Sequence, residues 1–301
     1  MKNKRSQMKS STTDRLFNMV NITLMIFIIA IIVYPLYFIL MASFSDPNVI
    51  ASGKVYFLPE EFSLEGYKKI LDFAPLWRGY LNTIFYTVVG TLINLICTLP
   101  AAYALSRKNL AGRNFIMLLF VFTMFFGGGM IPNYILIKKL HMYNTVWAML
   151  IPGAVSVWNL IVCRTFMQTN IPNELYEASS IDGCNDFQFF FRIVLPLSKP
   201  IIAIMILFYA LGHWNNYFGA LIYLENSDLY PLQLVLRDLL IQNQISFQMG
   251  GSAGASIAER AMLAEQMKYG VILVSSLPMI AIFPFVQKYF KKGVLIGSLK
   301  G

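Results

Sequence analysis

The sequence predicts an all-α membrane protein: six transmembrane helices, with a two-helix segment presented between the fourth and the fifth. Three observations lead there. Of the 301 residues, 57% are hydrophobic and only 13% are charged, whereas soluble domains carry about a quarter charged residues. Six stretches approach the length of about 20 mostly apolar residues that a bilayer-spanning helix needs. The cationic residues fall unevenly on the two sides that six crossings define, which is the signal that orients membrane proteins. The same composition excludes a disordered chain, an ordinary nucleic-acid-binding domain and most soluble enzymes. The net charge of +9 is therefore assigned to a membrane surface, and no nucleic-acid partner is expected.

The spans cover 19–43, 81–106, 115–137, 145–163, 200–224 and 269–287. The first is too long for a signal-peptide core and lacks a small-residue cleavage site after it, so it stays as an anchor. With the N-terminus in the cytoplasm, that side holds 15 of the 24 Lys and Arg residues and the outside holds 9. Lys2, Lys4, Arg5, Lys9 and Arg15 precede the first span, where the rule weighs most. Both termini are thus expected in the cytoplasm. Cys97, Cys163 and Cys184 lie far apart with no CxxC spacing, which gives neither a disulfide framework nor a zinc site.

Ionisable residues are nearly absent from the spans, His213 being the exception. Ion-driven carriers need carboxylates or histidines there to hold the coupling ion. No GxxxxGK[ST] phosphate loop is present either. Uphill transport by this chain would draw its energy from another protein. Helix breakers recur inside or at the ends of spans: Pro35, Pro100, Pro132, Pro152, Pro278 and Pro284. Proline in a membrane helix frees carbonyls that neighbouring helices must satisfy. Gly127-Gly128-Gly129 ahead of Pro132 is expected to break the third span.

Of the loops, 46–80 and 225–268 are external. The second contains an apolar-rich stretch (231–241), a Gly-rich run (250–254) and a helical pattern (255–267). The cytoplasmic segment 171–199 is different in kind. Asn173 suits an N-cap, and Glu174 and Glu177 suit the positive end of a helix. Leu175, Ala178, Ser179 and Asp182 follow the spacing of one helix face. Gly183 is placed to end the helix in a left-handed turn. Asn185 or Asp186 caps a second short helix (187–193), Pro196 stops it and Pro200 opens the fifth span. Phe187, Phe189, Phe190 and Phe191 are too apolar to be left in water and must pack on the bundle, on a partner, or on both.

This segment resembles the EAA loop of the inner-membrane permease subunits of ATP-binding-cassette (ABC) importers. That pattern is E-A-A, three residues, G, nine residues, I-x-L-P, and here it falls on Glu177-Ala178-Ser179, Gly183 and Ile193-Val194-Leu195-Pro196. Ser179 replaces the second alanine, a small residue for a small one. Leu81-Asn82-Thr83, Trp214-Asn215, Pro231-Leu232-Gln233 and the tail ending Lys300-Gly301 are similar to the carbohydrate-uptake branch, which includes the smaller permease of the maltose importer. Phe126 to Pro132 is similar to a narrower subgroup for complex, uronate-containing oligosaccharides.

The resemblance implies a permease domain at 19–287, between a basic N-tail (1–18) and a C-tail (288–301), in a bacterial cytoplasmic membrane. It implies that Glu177, Ala178, Ser179 and Gly183 form a coupling helix seated on an ATPase, with Ile193, Leu195 and Pro196 anchoring it to the bundle. The implied partners are a second homologous permease, two ATPase subunits that use ATP and Mg, and an external solute-binding protein that delivers an oligosaccharide. The chain itself needs no cofactor, metal or catalytic residue. Polar and aromatic groups inside the spans should face the bundle interior. Trp214, Asn215, Asn216 and Tyr217, with Asn133 and Tyr134, are therefore the candidates for the solute path. The alternatives are an integral membrane enzyme, an ion-coupled carrier and a permease for a non-sugar solute. The two histidines, His141 and His213, supply no HExxH, and GxSxG is absent. A docking helix has no use in an enzyme or an ion-coupled carrier.

Overall fold

The computed structural model describes residues 12–249, 267–282 and 284. The N-terminal basic cluster before Thr12, the Gly-rich run and most of the helical pattern after it, and the C-tail lie outside the described residues. All regular structure among the described residues is helical. The described residues fall into two compact units, one within 12–72 and 243–274, the other within 73–242 and 275–284.

In the first unit α1 (Thr12–Ala42) is a single helix with Pro35 inside it, and its side chains are exposed from Thr12 to Leu36. It begins seven residues before the expected span, because hydropathy marks only the part suited to lipid while helical hydrogen bonding continues beyond it. Asp46 then caps α2 (Pro47–Ala51), accepting from the Asn48 amide at 2.8 Å, and α3 (Glu65–Asp72) follows. Ala42, Val49, Ile50 and Val55 form a small core with Phe38 and Tyr269. The Tyr67 hydroxyl donates to Ser43 Oγ at 2.9 Å.

The second unit is built on α4 (Ala74–Ser106), whose 33 residues extend about 50 Å at 1.5 Å per residue. That exceeds the about 30 Å of a hydrocarbon core. After it come α5 (Arg113–Phe125) and α6 (Met130–Lys139), separated by the three glycines and bent by 112°. The break expected in the third span is there. The fourth span is not one helix as the sequence predicts. A short α7 (Trp147–Leu150) is followed by an irregular turn at Pro152-Gly153 and then α8 (Val157–Asn170). Next come α9 (Asn173–Ile181) and α10 (Asp186–Phe189), a π-type turn (Phe190–Val194) and α11 (Leu195–Leu197). The fifth span is also divided, into α12 (Lys199–Trp214) and α13 (Phe218–Tyr223). A 3-10 turn (Ser227–Leu229) leads to α14 (Leu232–Met249), whose residues from 243 on, like residues 267–274 of the apolar α15 (Met267–Ile282), belong to the first unit.

Among the described residues α1 and α4 are each long and apolar enough to cross a membrane, and α5–α6 and the α10–α12 stretch are bent pairs that qualify together. The main core joins the second half of α4 to α5, α8, α10 and α12 through Leu99, Ala102, Leu160, Cys163, Met167, Phe189, Val194 and Met205. A second core joins the first half of α4 to α7, α13 and α14 through Tyr86, Leu150, Ala220 and Leu234.

The first turns of α4 are fastened by side chains. Asn82 Nδ2 donates to the Asp228 and Tyr230 carbonyls at 2.7 and 3.0 Å, and the Tyr86 hydroxyl to the Leu229 carbonyl at 2.9 Å. Thr83 Oγ1 accepts from the Leu232 amide at 2.7 Å. Two short motifs, Leu81-Asn82-Thr83 and Pro231-Leu232-Gln233, are thereby brought together. Arg78 and Asp228 form an ion pair beside them.

Candidate functional site

The segment from Asn173 to Leu197 carries the clearest local geometry. Pro172, not Asn173, occupies the N-cap position of α9, so Asn173 is the first helical residue. A proline there sacrifices no hydrogen bond, because the first amides have no partner in the helix. At the other end Gly183 takes φ +77°. Its amide donates to the Ser180 carbonyl at 3.1 Å and the Cys184 amide to the Ser179 carbonyl at 2.9 Å, the two bonds of a Schellman ending. Asn185 and Gln188 then form a reciprocal capping box on α10. Pro196 has no amide to give, and the π-type turn directly before it widens the helix there.

The faces of this segment divide sharply. Ser179 is buried, its hydroxyl donating to the Tyr176 carbonyl at 2.8 Å. Ala178, expected beside it on one approach surface, is exposed with Glu174 and Glu177. Of the four phenylalanines, Phe189 and Phe190 are buried in the main core while Phe187 is 78% and Phe191 62% exposed. Ile181 is 87% exposed, and the sequence pattern did not single it out. Ile193 and Leu195 pack on the core as anchors, whereas Pro196 is exposed. Phe189, Phe190 and Val194, the unspecified position of I-x-L-P, are more deeply buried than Ile193 and Leu195.

Where α4 ends, three arginines gather. Arg164 Nε donates to the Leu105 carbonyl at 3.0 Å, and Arg113 Nη1 to the Arg107 carbonyl at 3.2 Å. Cations suit these unpaired helix-end carbonyls. The third, Arg107, has its guanidinium carbon 5.5 Å from the ring centres of Tyr103 and Tyr176 and 5.6 Å from that of Phe189.

A polar knot lies deeper in the second unit. Asn94 is fully buried. Its Nδ2 donates to the Gly153 and Ala154 carbonyls at 2.7 and 3.0 Å, and its Oδ1 lies 2.7 Å from His213 Nε2. With both amide hydrogens committed, Oδ1 must accept, so Nε2 of His213 carries its proton. The knot answers the break at Pro152: carbonyls released from helix geometry find a side-chain donor. Gly90 makes room for the imidazole, since a Cβ there would lie 2.4 Å from His213 Cε1 and Nε2. Beside the knot is a cavity of about 370 Å³ whose lining includes Ser156, Asn159, Tyr209, His213, Asn216 and Tyr223.

The residues expected on a solute path do not form one cluster. Asn216 lines the cavity and its Oδ1 accepts from the Gly219 amide at 3.1 Å, which caps α13. Trp214 is 4% exposed and packs edge-on against Tyr80 at 5.9 Å. Asn215 is exposed and donates to the Leu211 carbonyl at 2.9 Å, and Tyr217 is exposed. Asn133 is exposed on α6. Tyr134 lies between Tyr143 and Tyr223, at 5.5 and 6.5 Å, one ring removed from the cavity wall. Four consecutive residues at a helix end point in different directions, which is why the 214–217 patch disperses. Asn94, inside a span and unremarked in the sequence, is the residue that organises the region.

Residues 73–295 match the family described as binding-protein-dependent transport system inner membrane component. The chain belongs to this family. It is the transmembrane permease subunit of an ABC importer, a transporter component and not an enzyme. The permease is 39% identical to protein LplC of Bacillus subtilis (strain 168) over 295 residues, 98% of each chain. It is also 39% identical to the polygalacturonan/rhamnogalacturonan transport system permease protein YtcP of the same organism, over 96% of this chain and 99% of that one. Its structure resembles a chain in the crystal structure of a bacterial ABC transporter involved in the import of the acidic polysaccharide alginate, with a TM-score of 0.84 and 32% identity. That match covers 93% of this chain and 99% of the other. An importer permease of this family works with ATPase and binding-protein partners and resides in a membrane.

Proposed function

We propose that the α9–α10 segment is the coupling helix of this permease and that it seats in a groove of an ATPase subunit. The observation that carries the reading is the split between its faces. Ser179, Phe189 and Phe190 are buried, while Ile181, Phe187 and Phe191 are exposed, as are Glu174, Glu177 and Ala178. Exposed apolar side chains of this size call for a partner. Glu177 supplies the charged contact, Ala178 the close approach and Gly183 the turn. ATP and Mg act on the ATPase subunits, and closure of two such subunits moves the docked segment as a rigid body.

In this arrangement α1, α4, α5–α6, α7–α8, α12–α13 and α15 make six crossings with both termini in the cytoplasm. The permease domain covers 19–287 between a cytoplasmic N-tail (1–18) and C-tail (288–301), and the loop 225–268 is external. A second, homologous permease completes the path. The solute is a sugar or oligosaccharide handed over by an external binding protein. The names of the relatives, polygalacturonan, rhamnogalacturonan and alginate, favour the uronate class. The cavity lined by Asn216 and Tyr223 suits hydroxyl-rich solutes; Asn215, Tyr217 and Asn133, exposed outside it, are further candidates for the path, and Trp214 packs on Tyr80.

The test is a tagged pull-down from native membranes in mild detergent with mass spectrometry of what accompanies the chain. An ATPase and a second six-span chain are expected. Recovery of the chain alone, under conditions that preserve other importers, would refute the reading. The neighbouring binding protein, titrated with galacturonate and neutral oligosaccharides, decides the solute class.

A further inference from the structure

We infer that Arg107 is a positioning residue that locks the coupling segment to α4, so that the two move as one body. The inference rests on the coupling role proposed for α9–α10.

Three rings surround this guanidinium, and each belongs to a different element: Tyr103 to α4, Tyr176 to α9 and Phe189 to α10. The rings also touch one another. Tyr176 meets Phe189 edge-on at 5.3 Å, and Tyr103 lies 5.1 Å from Phe190 and 6.3 Å from Phe189. Nε and Nη1 of Arg107 are buried and have no hydrogen-bond partner. Their environment is therefore the aromatic faces, where a desolvated cation gains most from a ring quadrupole. A guanidinium suits this place better than an ammonium because it is planar and weakly hydrated. The arrangement closes only when all three elements are in position. It sits at the end of a helix whose first turns are fastened to 228–232. Through α4 the cage thus connects the segment facing the ATPase with the start of α14.

The experiment uses the complete importer in proteoliposomes and reads ATP hydrolysis and accumulation of labelled galacturonate oligosaccharides in the same vesicles. Arg107→Met keeps the bulk and removes the cation. Uptake per ATP hydrolysed should fall at least tenfold, while Arg107→Lys keeps half or more of the wild-type ratio. Poorer assembly alone would lower both rates together and leave the ratio unchanged, and that result would overturn the inference. If Arg107→Met fails to assemble, Tyr176→Phe and Tyr176→Leu replace it: the first keeps a ring and its coupling, the second loses both. Equal ratios for those two variants would equally overturn the inference. A solute-independent measurement uses spin labels at Val88→Cys and Asp182→Cys in a cysteine-free background, with and without ATP and vanadate. Wild type should keep one distance distribution in both states and Arg107→Met should separate them. A distribution in Arg107→Met as constant as in wild type refutes the cage. Absence of an ATPase from the wild-type complex would instead refute the coupling role itself.

Discussion

The α9–α10 segment and the knot around Asn94 are opposite cases. The segment holds Ile181, Phe187 and Phe191 in the open, where apolar groups are costly. The knot holds a buried asparagine bonded to a histidine inside the bundle, where polar groups are costly. Such inversions are the informative positions in a fold. They differ in how the cost is met. Every hydrogen-bonding atom of the Asn94 side chain is used inside the chain, so this polar group serves structure. The exposed apolar groups of the segment are covered by nothing within it, which is the pattern the proposed ATPase contact requires. The contrast can be tested by stability: substitutions in the knot should unfold the permease, and substitutions on the outer face of α9–α10 should not.

The largest loss of stability is expected for Asn94→Leu. It strands the Gly153 and Ala154 carbonyls and the imidazole N–H, at about 1–3 kcal/mol for each unsatisfied group. Thermal unfolding in detergent should show the permease losing most of its stability, with little folded protein recovered. An unfolding midpoint near wild type would mean that water enters the break and the knot is dispensable.

Trp214→Ala comes next. The ring fills a site that is 4% exposed, and removing a buried tryptophan costs about 3–5 kcal/mol. Uptake should fall only in proportion to the folded protein that remains. A folded variant with altered solute preference would place Trp214 on the path after all.

Gly90→Ala should cost less, about 1–3 kcal/mol, the usual range for overpacking. The added Cβ would displace the imidazole and break its bond to Asn94. The double variant Gly90→Ala, His213→Ala should be more stable than the sum of the single effects predicts, because the clash then has no object. Additive losses would mean that Gly90 acts through some other neighbour.

Much of the segment was legible in the sequence because its signals are local. Gly183 in a left-handed turn and a cap at Asn185 or Asp186 follow from residue type and spacing, and the structure selects Asn185. Which face of α9 turns inward was not legible, since that depends on the phase of the helix against a bundle formed by distant residues. Hence Ser179 and Ala178 read alike and fall on opposite sides. Phe187 and Phe189 divide for the same reason. The knot was hidden for a different one. Asn94 is a single polar residue in an apolar run, and its partners at 153–154 and 213 are far away in sequence. The breaks in the third and fourth expected spans announced themselves through the three glycines and Pro152, but nothing in the sequence marked the break in the fifth, where Asn216 bonds the Gly219 amide.

The smallest effect on stability belongs to the segment's outer face, and there the effect on transport should be greatest. Glu177→Lys and Phe187→Ser change exposed side chains, so each should shift stability by no more than about 0.5 kcal/mol. Gly183→Asp meets no atom within 4 Å of its new Cβ, and its left-handed backbone costs only about 1–2 kcal/mol. All three should insert; Glu177→Lys and Phe187→Ser should melt close to wild type, and Gly183→Asp a few degrees lower. Uptake should nevertheless vanish for Glu177→Lys and Gly183→Asp, with the ATPase lost from the purified complex or held without transport. Phe187→Ser should weaken ATPase retention in proportion to the apolar area removed. Normal uptake by a well-expressed Gly183→Asp protein would separate the exposed face from the ATPase and leave its phenylalanines facing lipid headgroups instead.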